Sequence, residues 1–137
     1  MADCCSGGTK LLYSCSGSAD VGKLADLVTR KLRDDGYARM TCLAGIGADI
    51  SGFVVSARGA DENITVDGCP QACARKSLER IGVAPLSIVL SDMGYEKGKT
   101  PVTDELVRTV AVKIMAGETV KTRPVNTGSA CGCGGNC

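Results

Sequence analysis

Short apolar runs alternate with helical patterns between residues 10 and 117, and this alternation restricts the fold more than any other feature of the chain. The apolar runs cover residues 10–14, 38–44, 64–67 and 86–90. Strands that alternate with helices are typical of a parallel sheet whose neighbouring strands are joined by crossover helices. The pattern therefore predicts an α/β domain with a mainly parallel, four-stranded sheet.

Helical periodicity fills the gaps between these runs. The predicted helices cover residues 20–34, 49–58, 70–81 and 103–116. Pro70 suits a first helical position, Thr103 suits an N-cap, and Gly117 suits the end of the last helix. We predict a three-layer sandwich of the Rossmann or flavodoxin type over residues 10–117, with a flexible tail at 1–9 and an extended, Gly- and Cys-rich segment at 118–137.

The chain of 137 residues contains nine cysteines and no histidine. The missing histidine excludes Ser–His–Asp and Cys–His catalysis and every zinc site that uses imidazole. With 44% hydrophobic residues the chain can form a core without disulfides. The first residues show no basic region followed by an apolar one, so we predict a cytoplasmic protein with reduced thiols.

Charge and aromatic content exclude two classes of partner. The net charge is +1 and aromatic residues make up 3% of the chain, which gives no basic patch or stacking surface for nucleic acid. No apolar run approaches the ~18 residues that a membrane span needs. The candidate partners are therefore a metal ion and a protein, with no nucleic acid and no membrane expected.

Four cysteines fall where the predicted strands end. Cys15 follows the first strand, Cys42 lies near the end of the second, and Cys69 follows the third. Cys73 is four residues further along the predicted third helix, about 40° around its axis from Cys69. The carboxyl ends of parallel strands share one edge, where open α/β sheets bind ligands. Four thiols there could hold zinc or an iron–sulfur cluster; the alternative is that they are small buried apolar side chains.

Asp67 and Gly68 directly precede Cys69, so we expect them to lie just behind the ligands. Asp67 has two interpretations: it orients a ligand, or it accepts a backbone N–H from the turn, which is the commoner role for such an aspartate.

A second glycine-containing segment follows the first strand. Gly17, Gly22 and Lys23 have the spacing of a phosphate-binding loop, but Leu24 stands where that loop needs Ser or Thr for Mg²⁺. The alternative is a turn that lets the backbone approach a ligand at Cys15.

The other five cysteines lie near the chain ends. They form a possible second soft-metal or thiol-relay site, whose members would be Cys4, Cys5, Cys131, Cys133 and Cys137. The alternative is a tail whose thiols oxidise without a function.

Three segments carry a resemblance to a known family: ITVDGCPQACA at residues 64–74, YSCSG at 13–17 and TCLAGIG at 41–47. Together they resemble the prokaryotic family of small zinc-binding proteins named for its Asp-Gly-Cys (DGC) motif. The resemblance spans about residues 10–117 and leaves out the terminal cysteines. It implies that Cys15, Cys42, Cys69 and Cys73 are metal ligands, and it implies no defined catalytic activity.

These observations support two hypotheses. In the first, the chain is a metal-binding protein that holds zinc through four cysteines and serves metal handling, sensing or partner recruitment. In the second, the same site is an iron–sulfur centre or a set of reactive thiols that carries electrons or sulfur. A zinc ion that only stabilises the fold is a third option.

Overall fold

The computed structural model describes residues 8–119 and contains a four-stranded, all-parallel sheet. The strands are β1 (Lys10–Ser14), β2 (Arg39–Met40), β3 (Glu62–Asp67) and β4 (Leu86–Val89). The helices are α1 (Asp20–Asp34), α2 (Leu43–Gly47), α3 (Ser51–Gly59), α4 (Cys73–Arg80) and α5 (Asp104–Met115), with a short 3₁₀ helix at Leu90–Met93. The predicted α/β fold with a parallel four-stranded sheet is confirmed.

The strand order is β2-β1-β3-β4, so the direction of strand addition reverses between β1 and β3. Leu12 at the centre of β1 pairs with Met40 of β2 on one side and with Ile64 of β3 on the other. This order matches the first four strands of the flavodoxin-like arrangement. In such sheets, ligands bind beyond the carboxyl ends of the two strands where the order reverses.

Side chains from the strands enter two hydrophobic clusters. Leu12 packs in the larger cluster with residues of α1 and α5, whereas its neighbours Leu11 and Tyr13 pack in a smaller cluster with residues of α2, α3 and α4. This division follows from the alternation of side chains along a strand. Side chains of β1 therefore pack in both clusters, and the packed sheet positions the loops at its carboxyl edge.

Both ends of α5 have the capping residues that the sequence predicts. The hydroxyl of Thr103 accepts a hydrogen bond of 3.2 Å from the backbone N–H of Leu106, as the predicted N-cap of α5 requires. Gly117 has φ of +75° just after α5, a conformation that glycine adopts at little cost. The predicted boundaries of α1 and β1 coincide with those in the structure.

The third predicted helix begins later than expected, at Cys73 instead of Pro70. Ala72 has a left-handed backbone with φ of +49°, which interrupts the helical path. Its N–H donates to the carbonyl of Cys69 at 3.0 Å and closes a turn. Cys69 is therefore a turn residue, and the prediction that it shares one helix face with Cys73 is wrong.

The second strand is also shorter than predicted. It contains only Arg39 and Met40, and the chain enters α2 directly after Cys42. Gly45 in α2 lies against the ring of Phe53, where a Cβ atom would be 2.4 Å from a ring carbon. This tight packing of α2 on α3 favours a helical turn where a strand was expected.

Two further points concern the rest of the chain. The predicted tails and the five terminal cysteines lie almost wholly outside residues 8–119, so those predictions stay untested. Within the described range, no helix has both the length and the apolar character needed to cross a membrane.

Candidate metal centre

Three of the four predicted ligands line one cavity of about 200 Å³ at the carboxyl edge of the sheet. We call it the thiol cavity; its cysteines are Cys15, Cys69 and Cys73. Cys15 and Cys69 are partly buried, and Cys73 is exposed. The rest of the lining comes from the turn before α1, from the turn before α4 and from Lys97.

The sheet brings Cys15 and Cys69 together. Cys15 continues the pairing of β1 with β3, because its N–H donates to the carbonyl of Val66 at 3.0 Å. Cys69 lies two residues beyond Asp67, the end of β3. Both cysteines therefore leave the sheet between the two strands where the strand order reverses, which is the expected ligand position for this topology.

Asp67 fixes the start of α4 and hence the position of Cys73. Its carboxylate accepts hydrogen bonds from the N–H groups of Ala74 at 2.8 Å and Arg75 at 3.1 Å, and the residue is 1% exposed. Burial raises the pKa of Asp67, although these two hydrogen bonds oppose the rise. Of the two interpretations of Asp67, the structure shows the capping one: the carboxylate satisfies N–H groups of the first helical turn.

Replacing Asp67 with alanine is expected to lower the free energy of unfolding by about 2 kcal/mol, because two backbone N–H groups at a helix start lose their buried acceptor. Urea denaturation at pH 7 measures this loss. Asp92→Ala, at an exposed aspartate, is the matched control and should change stability by less than about 0.5 kcal/mol. Equal stability of the Asp67→Ala and Asp92→Ala proteins would contradict the capping role.

Gly68 and Gly22 allow two turns to approach each other closely. A Cβ atom on Gly68 would lie 2.4 Å from the carbonyl oxygen of Val21, and one on Gly22 would lie 2.7 Å from that of Gly17. These glycines bring the turn that carries Cys69 against the start of α1. The glycine spacing of this segment thus has a packing explanation, which differs from both sequence interpretations, a phosphate-binding loop and a turn that approaches a ligand at Cys15.

A loop after the 3₁₀ helix adds a cation to the thiol cavity. The carboxylate of Asp20 accepts hydrogen bonds from the N–H groups of Gly98 at 2.8 Å and Thr100 at 2.9 Å, which lower the pKa of Asp20. Asp20 thereby ties this loop to the start of α1. Lys97, next to Gly98, lines the thiol cavity as a result.

The environment of Cys15 favours the protonated thiol. Burial raises its pKa, and the charges of Asp67, Cys73 and Cys69 raise it further, while a hydrogen bond from the backbone N–H of Gly17 opposes them. A nearby cation would favour the thiolate form of Cys15.

Cys42 lies in a different cavity, of about 740 Å³, which we call the Cys42 cavity. Its polar lining includes Ser14, Ser16, Asp26 and Arg30, and Cys42 itself is exposed. The structure therefore brings three of the predicted ligands to one cavity and leaves the fourth outside it. Cys42 follows β2, which pairs with β1 on the side away from β3.

Within residues 8–119, no group of three or more Cys, Asp or Glu side chains is drawn closely enough together to hold a metal ion. The donors of the thiol cavity still fit zinc in their chemistry, because thiolates are favoured zinc ligands and no imidazole is available in this chain. Binding of a metal ion would require the sulfur atoms of Cys15, Cys69 and Cys73 to move closer together.

Asp26 forms the polar centre of the Cys42 cavity. Its carboxylate accepts hydrogen bonds from Ser16 at 3.0 Å, from Ser14 at 3.3 Å and from the Arg30 guanidinium at 2.8 Å. Burial by itself would raise the pKa of Asp26, but the hydrogen bonds from Arg30 and Ser16 and the Arg30 charge outweigh it and lower the pKa. The ionised carboxylate therefore stabilises the folded state.

Because the folded pKa of Asp26 lies below the unfolded one, its contribution is present above about pH 4 and is lost as the pH falls through the folded pKa. Asp26→Asn is expected to cost about 1 kcal/mol at pH 7 and progressively less as the pH falls from 4 to 2. Urea denaturation at several pH values tests this. The control is Asp34→Asn, at a side chain that is 61% exposed, and a pH-independent cost at Asp26 would contradict the prediction.

Comparison with known proteins identifies the family. A sequence model of the DGC domain matches residues 11–114. The chain belongs to the DGC domain family. It is also 38% identical over 88 residues to the anaerobic and virulence modulator AnvM of Pseudomonas aeruginosa, which covers 64% of this chain and 67% of AnvM. No solved structure matches the chain.

Each residue of the Asp-Gly-Cys motif in this DGC domain has a distinct structural position. Asp67 caps α4, Gly68 allows contact with the start of α1, and Cys69 lines the thiol cavity. Sequence reasoning missed Asp20 and Lys97. Asp20 accepts a hydrogen bond from the backbone N–H of Thr100, about 80 residues further along the chain, and this contact holds the loop that carries Lys97 near the thiol cavity. Local patterns carry no signal for a contact of that separation.

Proposed function

We propose that this DGC domain is a metal-binding protein that holds zinc through cysteine thiolates at the carboxyl edge of its sheet. Cys15, Cys69 and Cys73 form the core of the ligand set. The observation that carries the proposal is that all three line one cavity between β1 and β3. Three unrelated cysteines would have no reason to collect at the ligand-binding position of the fold.

The charges around the thiol cavity also support a bound cation. Zn²⁺ with three thiolates carries a net charge of about −1, and the Lys97 ammonium on the cavity wall offsets it. Without the metal, the Cys15 thiol is partly buried beside the carboxylate of Asp67, which disfavours the thiolate. A divalent ion would add positive charge that favours the thiolate forms of these cysteines.

Zinc would serve metal handling, sensing or partner recruitment in a reducing compartment such as the cytoplasm. The terminal cysteines fit a second soft-metal or thiol-relay site that loads the thiol cavity. When bound, zinc would supply structural stability and a Lewis-acidic centre. Asp67 and Gly68 position the turn and the helix start that carry Cys69 and Cys73.

Elemental analysis of protein purified without oxygen tests the proposal. We expect about one zinc per chain in a colourless sample. Protein that contains no stoichiometric metal, and that takes up none when zinc is added, would overturn the proposal.

A second candidate is a redox or sulfur-transfer function of the same thiols. It is favoured by the name of the relative AnvM, an anaerobic and virulence modulator, because anaerobic conditions change the state of iron–sulfur centres and thiols. An anaerobic sample with visible absorbance that a reductant bleaches would support this candidate over zinc. A colourless sample whose thiols react at the rate of free cysteine would exclude it.

A further inference from the structure

A third cavity lies where α3 and α4 end. It has a volume of about 250 Å³, and we call it the arginine cavity. Its charged lining consists of Arg58 in the last turn of α3, Arg80 in the last turn of α4 and Asp49 between α2 and α3. The other lining residues are Ile46, Gly47, Ser77 and Ile81. No residue of this lining belongs to the thiol cavity, so the site is separate from the proposed metal centre.

The three charged side chains of the arginine cavity form no ion pair within residues 8–119. By contrast, Arg30 and Arg75 each pair with a carboxylate on their own helix. Two cations against one anion leave the arginine cavity with a net charge of about +1. An anionic ligand would balance that charge.

A hydrogen bond orients Arg58 within this cavity. Its Nε donates to the carbonyl of Ile81 at 3.1 Å, which ties the end of α3 to the end of α4. The other N–H groups of this guanidinium form no hydrogen bond to the described residues, so they can donate to a ligand. A guanidinium binds a carboxylate through two parallel hydrogen bonds. With Arg80, the cavity therefore offers two groups that can each bind one carboxylate.

The fold gives no reason for an aspartate at position 49. Asp49 has a left-handed backbone with φ of +56°, the conformation that glycine or asparagine commonly supplies after a helix. The N–H groups of Asp49 and Ile50 donate to the carbonyls of Ile46 and Gly45 at 3.1 and 3.0 Å, so this turn is fixed by main-chain contacts alone. The helix dipole favours a cation at the end of a helix, which explains an arginine there but not a carboxylate. A cationic group on a ligand would give this carboxylate a partner.

We propose that the arginine cavity binds a small acidic α-amino acid, such as glutamate. Each of its two carboxylates accepts hydrogen bonds from one guanidinium, and its ammonium group donates to Asp49. Such a molecule carries a net charge of about −1 at pH 7, opposite to that of the cavity. A dicarboxylate without the ammonium leaves Asp49 unpaired, and an amino acid with a neutral side chain leaves one guanidinium unpaired.

Isothermal titration calorimetry of the full chain at low ionic strength tests this proposal, with L-glutamate, glutarate and L-glutamine as probes. We expect L-glutamate to bind at least about tenfold more tightly than either of the others, because each of them lacks one charged hydrogen-bonding group. Arg80→Gln should lower the affinity for L-glutamate by about tenfold or more for the same reason. The control is Arg108→Gln, at an exposed arginine of α5, which should leave that affinity unchanged.

Asp49→Asn separates ligand binding from a loss of folding, because asparagine has the same size and tolerates the left-handed backbone. This variant loses the charge that attracts the ammonium group. We therefore expect it to bind glutarate at least as tightly as L-glutamate, a reversal of preference that an unfolded chain could not produce. The proposal is overturned if the folded wild type binds no L-glutamate, if it binds the three probes equally, or if either Arg80→Gln or Asp49→Asn keeps the wild-type affinity for L-glutamate.

Discussion

Cys69→Ser is expected to lower the zinc affinity of this protein by more than about 100-fold, as measured by competition with a zinc chelator under anaerobic conditions. Loss of a group that only orients a metal ligand already costs about 10- to 100-fold in affinity, and Cys69 would be a ligand itself. Serine keeps the size of the side chain but supplies a hydroxyl that stays protonated and binds zinc weakly. Cys69 lies partly buried in a turn, so we expect the variant to stay folded, and denaturation by urea checks this directly.

Gln71→Ser is the matched control for this measurement. Gln71 lines the same thiol cavity and belongs to the same turn, but it is exposed and carries no thiol. Its replacement should change zinc affinity by less than about threefold. Equal affinities for the Cys69→Ser and Gln71→Ser proteins would remove Cys69 from the ligand set.

Gly68→Ala is expected to lower the free energy of unfolding by about 3 kcal/mol, at the upper end of the usual cost of overpacking. The added Cβ atom would lie 2.4 Å from the carbonyl oxygen of Val21 and 2.8 Å from the backbone nitrogen of Gly22. Both atoms belong to the main chain of α1, so neither can move aside as the tip of a side chain could. Either the helix or the turn that carries Cys69 has to shift.

Gly52→Ala provides the control for Gly68→Ala. Gly52 lies in α3, and no atom lies within 4 Å of a Cβ added there. Alanine has the higher helix propensity, so stability should stay the same or rise by up to about 1 kcal/mol. Urea denaturation of both variants gives the comparison, and a Gly68→Ala protein as stable as Gly52→Ala would contradict the close approach of the two turns.

The parts of the fold that depend on local patterns were predictable from the sequence. The periodicity of α1, the run of β1 and the Thr103 cap of α5 each follow from neighbouring residues, and the structure confirms them. The parallel sheet follows from the alternation of strands and helices. From these features, Cys15 and Cys69 are expected to follow the ends of two strands of that sheet.

The details of the site could not be predicted in the same way. The left-handed conformation of Ala72 delays the start of α4, although alanine and the preceding Pro70 both favour an earlier start. The predicted strand end is occupied by α2, in which Gly45 packs on Phe53, and Cys42 lines another cavity. The contact of Gly45 with Phe53 joins two helices, and the left-handed turn at Ala72 is closed by its N–H on the carbonyl of Cys69, so neither follows from helix or strand propensity.

Zinc K-edge X-ray absorption of the zinc-loaded wild type tests the central claim most directly, because it counts the sulfur atoms around the metal. We predict three protein sulfur ligands at about 2.3 Å, one each from Cys15, Cys69 and Cys73. A first shell made of oxygen or nitrogen with at most one sulfur would contradict the claim that these thiols form one metal site.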